Sequence, residues 1–116
     1  MAKNVKVWDG SAWQDLAVAS FLPADFNVVL SGNSTLLAGR KYFVDTTAAR
    51  TLTLPASASA GDVISVFDST GTAATYNITI NRNGGKINGV EGNLIIDING
   101  GAATLVYTGS TYGWKV

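Results

Sequence analysis

The chain has 116 residues and a mass of 12.0 kDa, enough for one compact domain with a modest core. Eight basic and eight acidic residues balance to zero formal charge, and only 14% of residues are charged, against roughly 25% in a typical soluble domain. No cysteine or histidine is present, which excludes disulfides, thiol nucleophiles, Ser-His-Asp catalysis and the usual zinc ligands.

The basic residues form no run and are not interleaved with aromatics, so no nucleic-acid partner is expected. The longest apolar run, Phe26 to Leu30, is interrupted by Asn27 and is far too short to span a bilayer. No apolar signal region follows Met1 to Asn4. Cytoplasmic synthesis, with no signal peptide, transmembrane segment or membrane partner, is the expectation. The sequons at Asn33 and Asn77 are then chance matches. A surface rich in Ala, Ser, Thr, Gly and Asn, with zero net charge, favours association and suits a protein that works inside an assembly.

In chain order, residues 1–20 read as a hairpin. Val5 and Val7 alternate with Lys6 and Trp8, Asp9-Gly10 supplies a turn, and Trp13 to Ala17 returns. A lone two-stranded ribbon is marginal in water, so it packs on the body or docks onto another molecule. Around Leu22-Pro23 the chain is irregular; Phe26 to Leu30 then makes one strand, ended by Ser31-Gly32-Asn33. Residues 1–34 form a hairpin and connecting arm, and residues 35–116 form the body.

The body opens with strands at Lys41 to Asp45 and Thr51 to Leu54, the second with Leu52 and Leu54 inward and stopped by Pro55. Ala56 to Gly61 is a small-residue loop or single helical turn. Val63 to Asp68 is the most apolar strand and therefore central. After the surface loop Ser69 to Tyr76 come four strands: Asn77 to Asn81, Asn93 to Ile98, Ala102 to Tyr107 and Tyr112 to Val116. Leu94, Ile96 and Ile98 share one face, as do Tyr112, Trp114 and Val116, and a short extra strand fits around Lys86 to Asn88. Asn83-Gly84, Asn88-Gly89 and Asn99-Gly100 mark positive-φ turns. No ten residues show helical periodicity, and no exact internal repeat indicates a solenoid. The expected fold is all-β: a compact antiparallel β-sandwich or barrel, jelly-roll-like, with an N-terminal β-hairpin and arm.

Asp45, Asp62, Asp68 and Asp97 are the raw material for a hydrolytic carboxylate pair, but three of them lie at strand ends, where turn and edge chemistry is the commoner use. With Asn81 and Asn83 they lack the spacing of a calcium loop, and Asn83-Gly84-Gly85-Lys86 lacks the spacing and following helix of a phosphate cradle. No spacing supports sugar binding by Tyr76, Tyr107 or Tyr112. No enzymatic activity, catalytic residue, cofactor or metal is expected. Trp114 reads as core. Trp8 and Trp13 serve either as core or as intermolecular anchors. The interface candidates are Val5, Val7, Trp8, Trp13, Leu16, Phe21, Phe26, Val28 and Leu30.

The run Lys41-Tyr42-Phe43-Val44-Asp45-Thr46-Thr47-Ala48, then Leu52-Thr53-Leu54-Pro55 with Gly61-Asp62, resembles a small β module of tailed-bacteriophage virion proteins. So do Asn77-Ile78-Thr79-Ile80-Asn81-Arg82-Asn83-Gly84 with Lys86-Ile87-Asn88-Gly89, and Leu105 to Gly109 with Gly113-Trp114. The opening Val5 to Trp13 is similar to another recurrent phrase of phage fibres. The resemblance implies a structural protein of tail fibres, appendages or capsid decoration, commonly trimeric, with no catalytic residues. A fibre is usually long, with this module as one bead, so a chain this short fits a capsid decoration (cement) protein that binds and stabilises the shell. Its expected partners are itself, as a homotrimer, and the major capsid protein or other virion proteins. The alternative is a tail-fibre or appendage module that binds a host surface receptor or glycan.

Overall fold

A computed structural model describes residues 6–8, 13–15 and 27–116. Near the start, β1 (Lys6–Trp8) and β2 (Trp13–Asp15) pair antiparallel with Trp8 opposite Trp13, the hairpin that alternation and Asp9-Gly10 predict. The rest is strand and turn: β3 (Asn27–Leu30), β4 (Ser34–Thr35), β5 (Arg40–Val44), β6 (Arg50–Thr53), β7 (Val63–Asp68), β8 (Ile78–Asn81), β9 (Leu94–Ile96), β10 (Ala102–Tyr107) and β11 (Trp114–Lys115). No helix occurs among the described residues, so none there is long and apolar enough to cross a membrane.

From Asn27 onward the strands form two sheets, ordered β11-β10-β7-β5-β3 and β4-β6-β8-β9. Between β3 and β8 the chain alternates from one sheet to the other. Each return therefore enters its sheet in the same direction as before, and β3, β5 and β7 run parallel, as do β4, β6 and β8. Only β10, β11 and β9 add antiparallel pairs. The sheets are thus mixed, not purely antiparallel, and they do not close into a barrel. Within and next to the segment expected to be a connecting arm, β3 pairs along its length with β5 and β4 pairs with β6. Both strands therefore take part in the same two sheets as residues 35–116.

Inward side chains stack in columns across the parallel strands, one of them running Val28, Tyr42, Val66 and Ala103. Leu52, Leu54, Ile78 and Ile80 from one sheet meet Val44, Ile64, Val66 and Leu105 from the other, all without solvent exposure, in one continuous core. β7 is central, as its composition predicts. Trp114 is 1% exposed and packs edge-to-face on Tyr107, with ring centroids 5.2 Å apart. Its expected face-mates diverge: Tyr112 lies in the preceding turn and Val116 beyond the strand, and both are exposed. Ile98 likewise falls past the end of β9 and is exposed, apart from Leu94 and Ile96. The predicted strand around Lys86 to Asn88 shrinks to bridges made by Ile87 with Val90 and Trp114. Asn88-Gly89 closes the first of these with φ of 53° and 78°, the doubly positive geometry of a type I′ turn.

Candidate functional site

Of the predicted interface residues, Val5, Leu16, Phe21 and Phe26 lie outside the described residues. Val7 sits on β1, with Trp8 and Trp13 in register between β1 and β2. Val28 and Leu30 are half-buried and pack against the core. The residue between them faces the other way: Val29 is 76% exposed. Period-two alternation inside Asn27–Leu30 is the signal that separates Val29 from its neighbours.

Val29 is in register with Phe43, and Phe43 with Phe67, so the three form a row on the outer face of the five-stranded sheet. The phenyl rings stack with centroids 5.1 Å apart and planes 14° from parallel. Both are only half-buried, which leaves an apolar ridge on a rigid sheet and ends it at the edge strand β3. The outer face of the other sheet is more polar, although Thr79 there is also in register with exposed Ile95. There Thr51 and Thr79 are in register, as are Thr35, Thr53 and Asn81, giving hydroxyls and amides in rows.

Asp45, Asp62 and Asp68 accept hydrogen bonds that hold turns and loops. Asp68, at the end of β7, is 7% exposed and accepts four hydrogen bonds. Oδ1 takes the Thr46 hydroxyl at 2.7 Å and the Gly71 N–H at 2.9 Å; Oδ2 takes the Ala73 and Gly100 N–H groups, each at 2.9 Å. Burial pushes this carboxyl up, the four donors outweigh burial, and the pKa falls to about 2. A carboxylate so held is a poor general acid. Its use is to tie the loops after β5, β7 and β9 to one point, with Thr72 adding a bond to the Thr46 hydroxyl. Asp45 accepts from the Thr47 N–H, which holds its pKa below the usual carboxylate value, and also from the Thr70 hydroxyl. Asp62 accepts from the Ser59 N–H. These are turn caps. Among the described residues no group of three carboxylates could hold a metal ion.

Two hollows remain. An apolar groove of about 170 Å³ opens between β9 and β10, lined by Leu94, Ile95, Ile98 and Val116. A polar cleft of about 350 Å³ lies where the turn after β8 faces β10 and the loop before β11. Asn83, Lys86, Glu91, Tyr107 and Ser110 surround it. Gly113 also lines it, packed so closely on the Lys86 carbonyl that there is no room for a side chain.

No family model matches the chain, and no curated protein is significantly similar to it.

Proposed function

We propose that the chain is a structural protein of a tailed-bacteriophage virion: a capsid decoration protein that binds the shell as a trimer and stabilises it, its two-sheet body acting as a β-sandwich platform. The observation that supports this most is the Val29, Phe43 and Phe67 ridge on a chain with only 14% charged residues. A sheet face is rigid before contact, so burying such a ridge costs little ordering entropy and removes apolar area from water at about 25 cal/mol per Å². Repeated over many copies at capsomer junctions, even a modest gain per copy resists shell expansion. The β1–β2 hairpin, with Trp8 and Trp13, supplies a second contact of the kind that dominates interfaces. Mixing the purified protein with undecorated shells tests this. Saturable co-sedimentation at micromolar protein is expected; no binding sinks the decoration reading.

The polar cleft favours a second reading, a tail-fibre module that binds a host glycan. An amide, an ammonium, a carboxylate and an aromatic ring around one cleft of about 350 Å³ suit a sugar's hydroxyls and ring face. Copy number separates the two: decoration requires hundreds of copies per particle, a fibre tip only a handful.

A further inference from the structure

We propose that Asn83 is a self-modification site, deamidating spontaneously ahead of the other asparagines of the chain. An Asn followed by Gly is the most reactive context for this chemistry, because no side chain hinders the following amide. In the reaction the backbone nitrogen of the glycine loses its proton and attacks the asparagine Cγ. The N–Cγ bond forms, the Cγ–Nδ2 bond breaks, and ammonia leaves with the proton. Water then opens the succinimide ring at either carbonyl, giving aspartate or isoaspartate.

Three Asn-Gly pairs share the sequence prerequisite, and all three asparagines are exposed. The fold treats their nucleophiles differently. The Gly89 N–H donates to the Tyr112 carbonyl at 2.9 Å, and the Gly100 N–H donates to the buried Asp68 carboxylate at 2.9 Å. Both nitrogens must lose a hydrogen bond before they can attack, and the second would have to abandon a carboxylate. The Gly84 N–H makes no hydrogen bond within the described residues and is exposed. Asn83 and Asn88 have nearly the same backbone, with φ of 49° and 53°, so backbone twist does not separate them. Side-chain anchoring does not separate them either, since each asparagine makes one bond: Asn83 Nδ2 to the Leu54 carbonyl, Asn88 Oδ1 from the Val116 N–H and Asn99 Oδ1 from the Ala74 N–H. The free nucleophile is what distinguishes Asn83.

The product changes a surface feature. Aspartate at position 83 can no longer donate to the Leu54 carbonyl, and it places a new negative charge in the polar cleft beside Lys86 and Glu91. Each conversion moves the chain from zero net charge to minus one, so the cleft acquires a charge that records the protein's age.

Peptide mapping by mass spectrometry, with isoaspartate detection, tests this on the whole protein held at mildly alkaline pH and physiological temperature. Position 83 is expected to convert at least about fivefold faster than positions 88 and 99, the rate equivalent of one amide hydrogen bond. In denaturant, where these bonds are lost, the three rates are expected to converge. Faster or equal conversion at Asn88 or Asn99 in the native protein, or no conversion at Asn83, overturns the proposal. So does a ranking that survives denaturation unchanged, because it would then come from local sequence and not from the fold.

Discussion

Asp68 shows how a single side chain can hold several loops. Its two oxygens face four donors from three separate segments, so every position around the carboxylate calls for an acceptor. Asp68→Asn would turn one oxygen into an NH2 group aimed at two donors, leaving buried groups unsatisfied. A loss of about 3 kcal/mol is expected in urea unfolding, with little change in the slope. The pH dependence follows from the depressed pKa. The carboxyl is near 3.8 when unfolded and about 2 when folded. The stabilisation is therefore fully present above about pH 4 and is lost as pH falls through 2, a difference of ~2 kcal/mol. Asp45, shifted in the same direction, adds to the trend. Acid unfolding of Asp68→Asn should be correspondingly flatter than that of the parent; an identical acid profile would deny Asp68 this role. From the sequence Asp68 is one of four candidate aspartates, three of them at strand ends. Nothing in the spacing separates it from exposed Asp97, because its donors are brought in by loops distant along the chain.

Among the elements, the turn before β11 is the most sterically constrained. A Cβ at Gly113 would lie 2.1 Å from the Lys86 carbonyl oxygen, and φ there is 72°. Gly39 has a similar φ of 79° but open space around it. Gly39→Ala should cost about 1 kcal/mol, the price of a left-handed backbone alone. Gly113→Ala should cost ~3 kcal/mol or more, because the β11 segment that carries Trp114 must move off Lys86. Thermal melts of the two variants side by side distinguish the contributions, and equal shifts would show that the close approach relaxes freely. Strand identity was legible at this scale. Leu52, Leu54, Ile78 and Ile80 alternate with polar residues and are all fully buried. Where strands stop was less legible. Ile98, Tyr112 and Val116 keep the period but lie beyond the pairing partners that would hold them in a sheet.

For the molecule as a whole, topology was the part hidden from the sequence. A period of two reports which residues face inward but not whether the next strand pairs beside the last or crosses to the other sheet. The stacked positions Val28, Tyr42 and Val66 are separated by unequal stretches, so the parallel winding left no repeat to detect. The same winding makes β3 an edge strand and sets Val29 at the end of the phenylalanine row, which separates stability from assembly experimentally. Val29 is mostly exposed and supports no core contact, so Val29→Lys should leave the melting temperature within a degree or two. On the proposed shell contact it buries a charge against an apolar surface, and a loss of tenfold or more in shell affinity is expected. Replacing Trp8 and Trp13 together with Ala tests the hairpin in the same assay and should also weaken shell binding more than it lowers the melting temperature. Should Val29→Lys bind normally while the tryptophan variant fails, the hairpin alone makes the contact and the sheet face is free. Should the tryptophan variant instead lose its body's stability, those two rings belong to the fold, and the ridge must account for docking without them.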